Sequence, residues 1–284
     1  MWKMLLNLFI DFLLSLMKDK GIKEKDKTEQ VVKPAPVLVP VNPNIVIPVE
    51  KGTVKPLVIE KFLPKSQYVS TETTIKEGIL LHHSVGGSWD STYGYWLQSR
   101  EKVCTHYIID RDGTIILCLP LDHFGYHVYI NSPGNRKVPK KYRQLGSEYD
   151  KKLIGVELAN LGPITLKNGI FTDVYKRAIH PDKVIKVDKF KGYEYFEKYT
   201  EKQIESLEWL ILFLFDKFPN IKAKGVRDDY SKFTEIQESA LQLKESISFH
   251  TTYRVDKSDV YGNPDLIKML NNLHIKYDLP VTLP

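Results

Sequence analysis

Gly78-Ile-Leu-Leu-His-His-Ser-Val85 places two adjacent histidines at the end of an apolar run. Such a run predicts a buried strand, in which successive side chains point to opposite faces. His82 and His83 therefore diverge, one to each side of a sheet, at the strand's exit. A strand end is where a rigid scaffold presents a polar group to a cleft. A histidine there can be a hydrogen-bonded structural residue, and neutral imidazole is also the commonest metal-ligand side chain. The pair alone does not decide between these readings.

A second segment bears on the choice. Phe249-His-Thr-Thr-Tyr-Arg-Val-Asp-Lys-Ser-Asp259 brings a histidine, a lysine and an aspartate into one short polar stretch, followed by Gly262 and Pro264. Zinc takes imidazole nitrogen and carboxylate oxygen, and a catalytic zinc keeps three protein ligands and an open water position. His82, His250 and Asp259 would supply two neutral ligands and one anion. Lys257 stands two residues from the last of them, within reach of whatever the metal activates. The competing reading is a solvated charged loop. In the third segment, Leu153 to Leu158 reads as another buried strand, interrupted by Glu157. A carboxylate inside an apolar strand is costly unless paired, metal-bound or catalytic. Burial would also raise its pKa toward the range a general base needs.

In order and spacing these segments resemble the zinc-dependent N-acetylmuramoyl-L-alanine amidases of the second amidase type. That family includes phage amidase lysozymes, bacterial anhydromuropeptide amidases and peptidoglycan-recognition proteins. The resemblance runs from about Ile75 to Leu273. His82 matches the first metal ligand, and Thr105-His-Tyr-Ile-Ile109 with Arg111-Asp-Gly-Thr114 matches the central hairpin. Gly125-Tyr-His127 matches the Trp-His-Ala-Gly segment that lines the substrate cleft. Ile154-Gly-Val-Glu-Leu158 matches the strand of the catalytic glutamate, while His250, Lys257 and Asp259 match the second ligand, the transition-state lysine and the third ligand. The resemblance implies a peptidoglycan hydrolase with Zn2+ as cofactor, Glu157 and Lys257 as catalytic residues, and His127 and Asn160 as substrate contacts. His106 is expected in the core or behind the ligands, and His83 in a structural role. The chain departs from the family where Asp259-Val-Tyr-Gly-Asn-Pro264 replaces the usual Asp-Pro-Gly, and where Thr105 stands in place of a tyrosine used by the phage branch. Two other classes stay open: a peptidoglycan-binding module that does not cleave, and a zinc peptidase acting on the stem peptide. The chain lacks the helical His-Glu-x-x-His of common zinc peptidases.

The 284 residues, 42 % hydrophobic, suffice for one sizeable core with residues left over. The expected fold class is α/β, a central mixed β-sheet flanked by helices. The net charge of +6 favours approach to an anionic cell wall. No basic stripe interleaved with aromatics appears, so nucleic acid is not an expected partner. Cys104 and Cys118 have no metal-binding spacing and read as free buried thiols.

Three domains are expected: residues 1–27, 28–65 and 66–284. Met1 to Met17 is apolar apart from Lys3, Asn7, Asp11 and Ser15, which fall on one narrow helical stripe. The run is short for a spanning helix and has no small-residue cleavage site. It reads as an interfacial membrane helix or a self-associating one. Lys18 to Gln30 is a mixed-charge run. Val31 to Lys65 carries seven prolines among valines and predicts a semi-rigid extended spacer, although parts could pack along the catalytic domain. The setting implied is the cell envelope or a phage particle.

Within the last domain, Val103 to Asp110 and Thr114 to Leu119 predict a hairpin. Thr200-Glu-Lys-Gln203 is a capping box opening a helix to about Phe218. Asn263-Pro264 predicts the start of a final helix through Leu273. Tyr68, Tyr193, Tyr195 and Tyr199 are sugar-stacking candidates or half-buried rim tyrosines.

Overall fold

The computed structural model describes residues 55–69 and 75–282. The readings of the apolar N-terminal helix, the charged run and most of the proline-rich spacer lie outside those residues.

The fold is organised by its apolar runs. Gly78–His83 (β2) is buried along its whole length and pairs in parallel with Leu153–Leu158 (β5), equally buried. Strands covered on both faces read as continuous apolar runs, which explains why these two stand out in sequence. Ile247–Phe249 (β11) extends the sheet in parallel beyond β2. Tyr107–Ile109 (β3) lies parallel to the other side of β5, and Ile115–Leu117 (β4) folds back against β3. The predicted hairpin is thus present. At its turn Gly113 has a φ of 87°, and a Cβ there would meet Ser206 Oγ at 2.8 Å, so only glycine fits.

Val58–Glu60 (β1) completes a six-stranded mixed sheet in the order β1-β4-β3-β5-β2-β11. It pairs in parallel with β4. This segment belongs to the stretch read as a spacer; it is extended, as prolines require, and its apolar Val58 and Ile59 add an edge to the sheet. Pro56 and Pro64 lie outside the paired residues, where a missing N–H costs no ladder bond.

Helices cover both faces. Glu201–Lys217 (α2) begins at the expected capping box, with Thr200 Oγ1 accepting from Gln203 N–H at 3.1 Å. Its Leu207, Leu210, Ile211, Leu214 and Phe215 pack on Ile79, Leu81, Ile154 and Val156, together with Leu266, Leu270 and Leu273 of Pro264–Tyr277 (α3). Asn263 caps α3 through the N–H groups of Asp265 and Leu266, and the helix runs a turn beyond its predicted end. The opposite face meets Trp89–Gln98 (α1), whose Tyr93 and Trp96 cover Ile108 and Ile116. Cys104 and Cys118 are free and buried there. Among the described residues no helix is long and apolar enough to cross a membrane.

A second sheet, which the sequence does not announce, is built from Pro163–Lys167 (β6), Ile170–Thr172 (β7), Ala178–Ile179 (β8), Val184–Phe190 (β9) and Tyr193–Glu197 (β10). Its order is β8-β7-β6-β10-β9, antiparallel throughout. It is tied to the main core by Phe196, which stacks on Tyr261 at 4.3 Å, and by a 2.6 Å ion pair between Glu197 and Arg111 of the β3–β4 turn.

Candidate metal centre

The parallel pairing of β2 with β11 sets His82 and His250 side by side at the ends of their strands. Grooves at the carboxyl ends of parallel strands are where open α/β sheets bind ligands. After β11 the chain makes a single tight turn, His250–Thr252, then returns so that Thr251 N–H donates to the Asp259 carbonyl at 3.0 Å. The stretch is braced rather than loose. Arg254 forks onto Asp256 at 3.0 and 2.6 Å and onto Ser132 at 3.0 Å. Asn135 donates to Tyr253 O and accepts from Val255 N–H.

This folding brings three donor atoms together. His82 Nδ1 and His250 Nδ1 are 3.1 Å apart, and Asp259 Oδ2 lies 3.2 Å from the first and 2.8 Å from the second. All three residues are buried. Burial holds both imidazoles below their ordinary pKa, His250 down to about 3, so they are neutral near pH 7. Burial opposes ionisation of Asp259, and the nearby Lys257 ammonium favours its carboxylate.

Such a cluster suits a cation. His250 Nε2 lies 3.1 Å from the Val128 carbonyl oxygen, which can only accept, so the single proton of the neutral ring sits on Nε2. His250 Nδ1 therefore turns a lone pair toward the anionic Asp259 oxygen. Two acceptors 2.8 Å apart repel unless a positive charge lies between them. Tetrahedral zinc with bonds of about 2.0–2.1 Å sets its donors roughly 3.3 Å apart, close to the edges of this triangle.

Glu157 pairs in register with His82 across β2 and β5. Both therefore project from the same face of the sheet. Burial, reinforced by Asp259 and opposed by Lys257, pushes the Glu157 carboxyl up to about 8. Lys257 is half-buried and interacts electrostatically with Glu157, Asp259 and both imidazoles.

Most of the other expected residues are buried. His127 is buried, with Nδ1 3.1 Å from His82 Nε2, so it stands against a candidate ligand. Asn160 is fully buried, and its amide bonds the carbonyls of Glu197 and Lys198 and the N–H of Gly162. It braces the strand end against the second sheet, which leaves it no group for substrate. His83 turns to the opposite face, 3.2 Å from Tyr199 Oη. His106 accepts from Gly155 N–H and donates to His123 O, a core role as expected. Tyr68 and Tyr199 are buried, and sugar stacking is closed to them.

Two residues beneath the site carry little signal in sequence. Asp150 accepts the N–H groups of His127 and Val128, each at 2.7 Å, and burial raises its carboxyl to about 6. Lys76, 1 % exposed, donates to the carbonyls of His123 and Lys151. Asp150 sits among Glu148, Lys151 and Lys152, which makes its helical turn look solvated. The only sequence signal for Lys76 is its position two residues before β2.

The family model of N-acetylmuramoyl-L-alanine amidases matches residues 72–253. The match takes in His82, Glu157 and His250 and ends before Lys257 and Asp259. Among solved structures, an endolysin N-acetylmuramoyl-L-alanine amidase from Clostridium intestinale is 14 % identical, covering 81 % of this chain and 100 % of its own, with a TM-score of 0.40. A mutant endolysin from Bacillus subtilis is 16 % identical, covering 78 % and 95 %, with a TM-score of 0.39. A selenomethionine derivative of AmpD is 15 % identical, covering 74 % and 94 %, with a TM-score of 0.37. No curated protein matches in a sequence search.

Proposed function

The chain belongs to the N-acetylmuramoyl-L-alanine amidase family, and from that premise we propose how its own residues cut the amide between muramic acid and L-alanine in peptidoglycan. The observation that carries the reading is the convergence of His82 Nδ1, His250 Nδ1 and Asp259 Oδ2 beside Glu157. His82, His250 and Asp259 would hold zinc, which when bound would lower the pKa of a water, polarise the scissile carbonyl and, by its charge, favour the Glu157 carboxylate.

Glu157 takes a proton from the attacking water and later delivers it to the departing alanine nitrogen. One buried carboxyl serves both steps because its pKa lies near neutrality. Lys257 holds its ammonium beside the oxyanion that forms on the scissile carbonyl, a contact worth roughly 3–4 kcal/mol in other enzymes. The enclosing loop from His250 to Asp259 keeps Lys257 and two metal ligands on one braced segment. The substrate places the enzyme's action at the bacterial cell wall.

The test is dye release from purified sacculi by the full chain, before and after chelation and after zinc is restored, with mass spectrometry of the fragments. Expected products are intact glycan and stem peptides with a free alanine amine, lost on chelation and regained with zinc. Cleavage inside the stem peptide, or full release in chelator, would overturn the reading.

A further inference from the structure

Both imidazoles of the proposed zinc site are backed by one dipeptide, His127-Val128. His82 Nε2 lies 3.1 Å from His127 Nδ1, and His250 Nε2 lies 3.1 Å from the Val128 carbonyl oxygen. The N–H groups of the same two residues converge on a single oxygen, Asp150 Oδ1, each at 2.7 Å. Every member is buried: Asp150 is 2 % exposed, Val128 0 % and His127 6 %.

We propose that Asp150, His127 and Val128 form a positioning clamp that fixes the tautomer and direction of both metal-facing imidazoles. The proposal rests on the zinc reading of His82, His250 and Asp259.

Three features carry it. First, the two outer contacts are made by adjacent residues, so any shift of this segment moves both ligands together. Outer partners of this kind orient a ligating ring and are commonly worth 10–100-fold in metal affinity. Second, the clamp sets proton positions. Val128 O can only accept, which places the His250 proton on Nε2 and leaves Nδ1 free to ligate. His127 Nδ1 does the same for His82 when it accepts, and its own proton then sits on Nε2. Third, β5 makes room for the ring. A Cβ on Gly155 would lie 3.0 Å from His127 Nδ1 and 2.9 Å from Thr105 Cβ. The glycine in the Glu157 strand thus lets His127 lie directly on the sheet backbone.

A packing role alone makes a different prediction, because an apolar residue of similar size would then serve equally well. The deciding measurement is zinc affinity, by competition with a chromophoric chelator, together with the visible spectrum of the cobalt(II)-substituted chain. His127→Leu should bind zinc about 10–100-fold more weakly and shift the cobalt bands. His127→Asn can set a carbonyl oxygen near the former Nδ1 and should recover most of the affinity. Asp150→Asn keeps the shape with a weaker acceptor and should show a smaller, several-fold loss.

Wild-type affinity and spectrum in His127→Leu would overturn the clamp. Should His127→Leu fail to fold, as the thermal midpoint of the metal-free chain reports, unchanged affinity in Asp150→Asn overturns it instead. A wild-type chain that binds no zinc overturns the zinc reading and the clamp together. Normal wild-type binding with unaltered variants removes the clamp alone.

Discussion

The two sheets of this chain handle charge in opposite ways. The six-stranded sheet buries it: His82, Glu157, His250 and Asp259 stand at the strand ends, with Asp150 and Lys76 behind them. The five-stranded sheet keeps most of its charges in water, as Lys167, Lys186, Asp188 and Lys189 are all exposed, and buries only Glu197, at its seam with the main core and paired with Arg111. Its strands are mostly exposed or half-buried, and only Pro163, Ile164, Phe196 and Glu197 reach deep cover. Charge is worth burying only where something uses it, because a buried ion is expensive unless paired or coordinated. The cost is concentrated in the sheet that presents the site.

The largest effects should therefore come from the strand ends of the first sheet. Asp259→Ala should lose zinc on dialysis and activity with it. Glu157→Gln should keep its zinc, measured by elemental analysis, while turnover on sacculi falls by roughly 10²–10⁴. Full turnover in Glu157→Gln would remove that residue from the chemistry, and unchanged zinc content in Asp259→Ala would exclude it as a ligand.

A smaller effect should locate the seam between the sheets. Phe196 belongs to the exposed sheet by sequence and to the main core by contact, fully buried against Tyr261. Phe196→Ala should cost about 3–5 kcal/mol in urea unfolding. Ile170→Thr, on a strand position 56 % exposed, should stay within about 0.5 kcal/mol. Equal costs at the two positions would mean the second sheet is more deeply integrated than its burial indicates.

The same contrast explains what could be read from the residues. β2 and β5 were legible because strands covered on both faces are apolar throughout, so His82 and Glu157 stand out as interruptions. The helix after Thr200 and the one after Asn263 declared themselves by their caps. Strand periodicity also sent His83 correctly to the face opposite His82. The second sheet was not legible, since half-exposed strands such as Val184–Phe190 mix valine with lysine and aspartate and resemble a charged connection. His127 and Asn160 show a different limit. Each follows an element whose spacing is clear, but the direction of a side chain in an irregular segment is set by its partners. Those partners, His82 Nε2 for one and the carbonyls of Glu197 and Lys198 for the other, lie far away in sequence. Asp150 was hidden by charged neighbours.

If charge burial is concentrated in the first sheet and at its seam with the second, so should be the distinctive pH dependence of stability. Burial pushes the Lys76 ammonium from 10.5 down to about 7. Between those values the unfolded chain holds a proton that the folded chain has released, so Lys76 makes stability rise with pH across that window. The penalty for burying its charge is absent above about 10.5 and complete below about 7. At about 1.4 kcal/mol for each pH step of one between the two values, the effect amounts to a few kcal/mol at most. The measurement is the urea midpoint from about pH 6 to about pH 10, compared between the wild type and Lys76→Met. The difference between the two curves isolates this residue from other groups that titrate in the same range. The wild type should gain on Lys76→Met as pH rises, whereas Lys186→Ala, its charge already in water, should track the wild type throughout. A Lys76→Met curve parallel to the wild type would show that the lysine is hydrated in solution, and the boundary between a sheet that buries charge and one that does not would have to move.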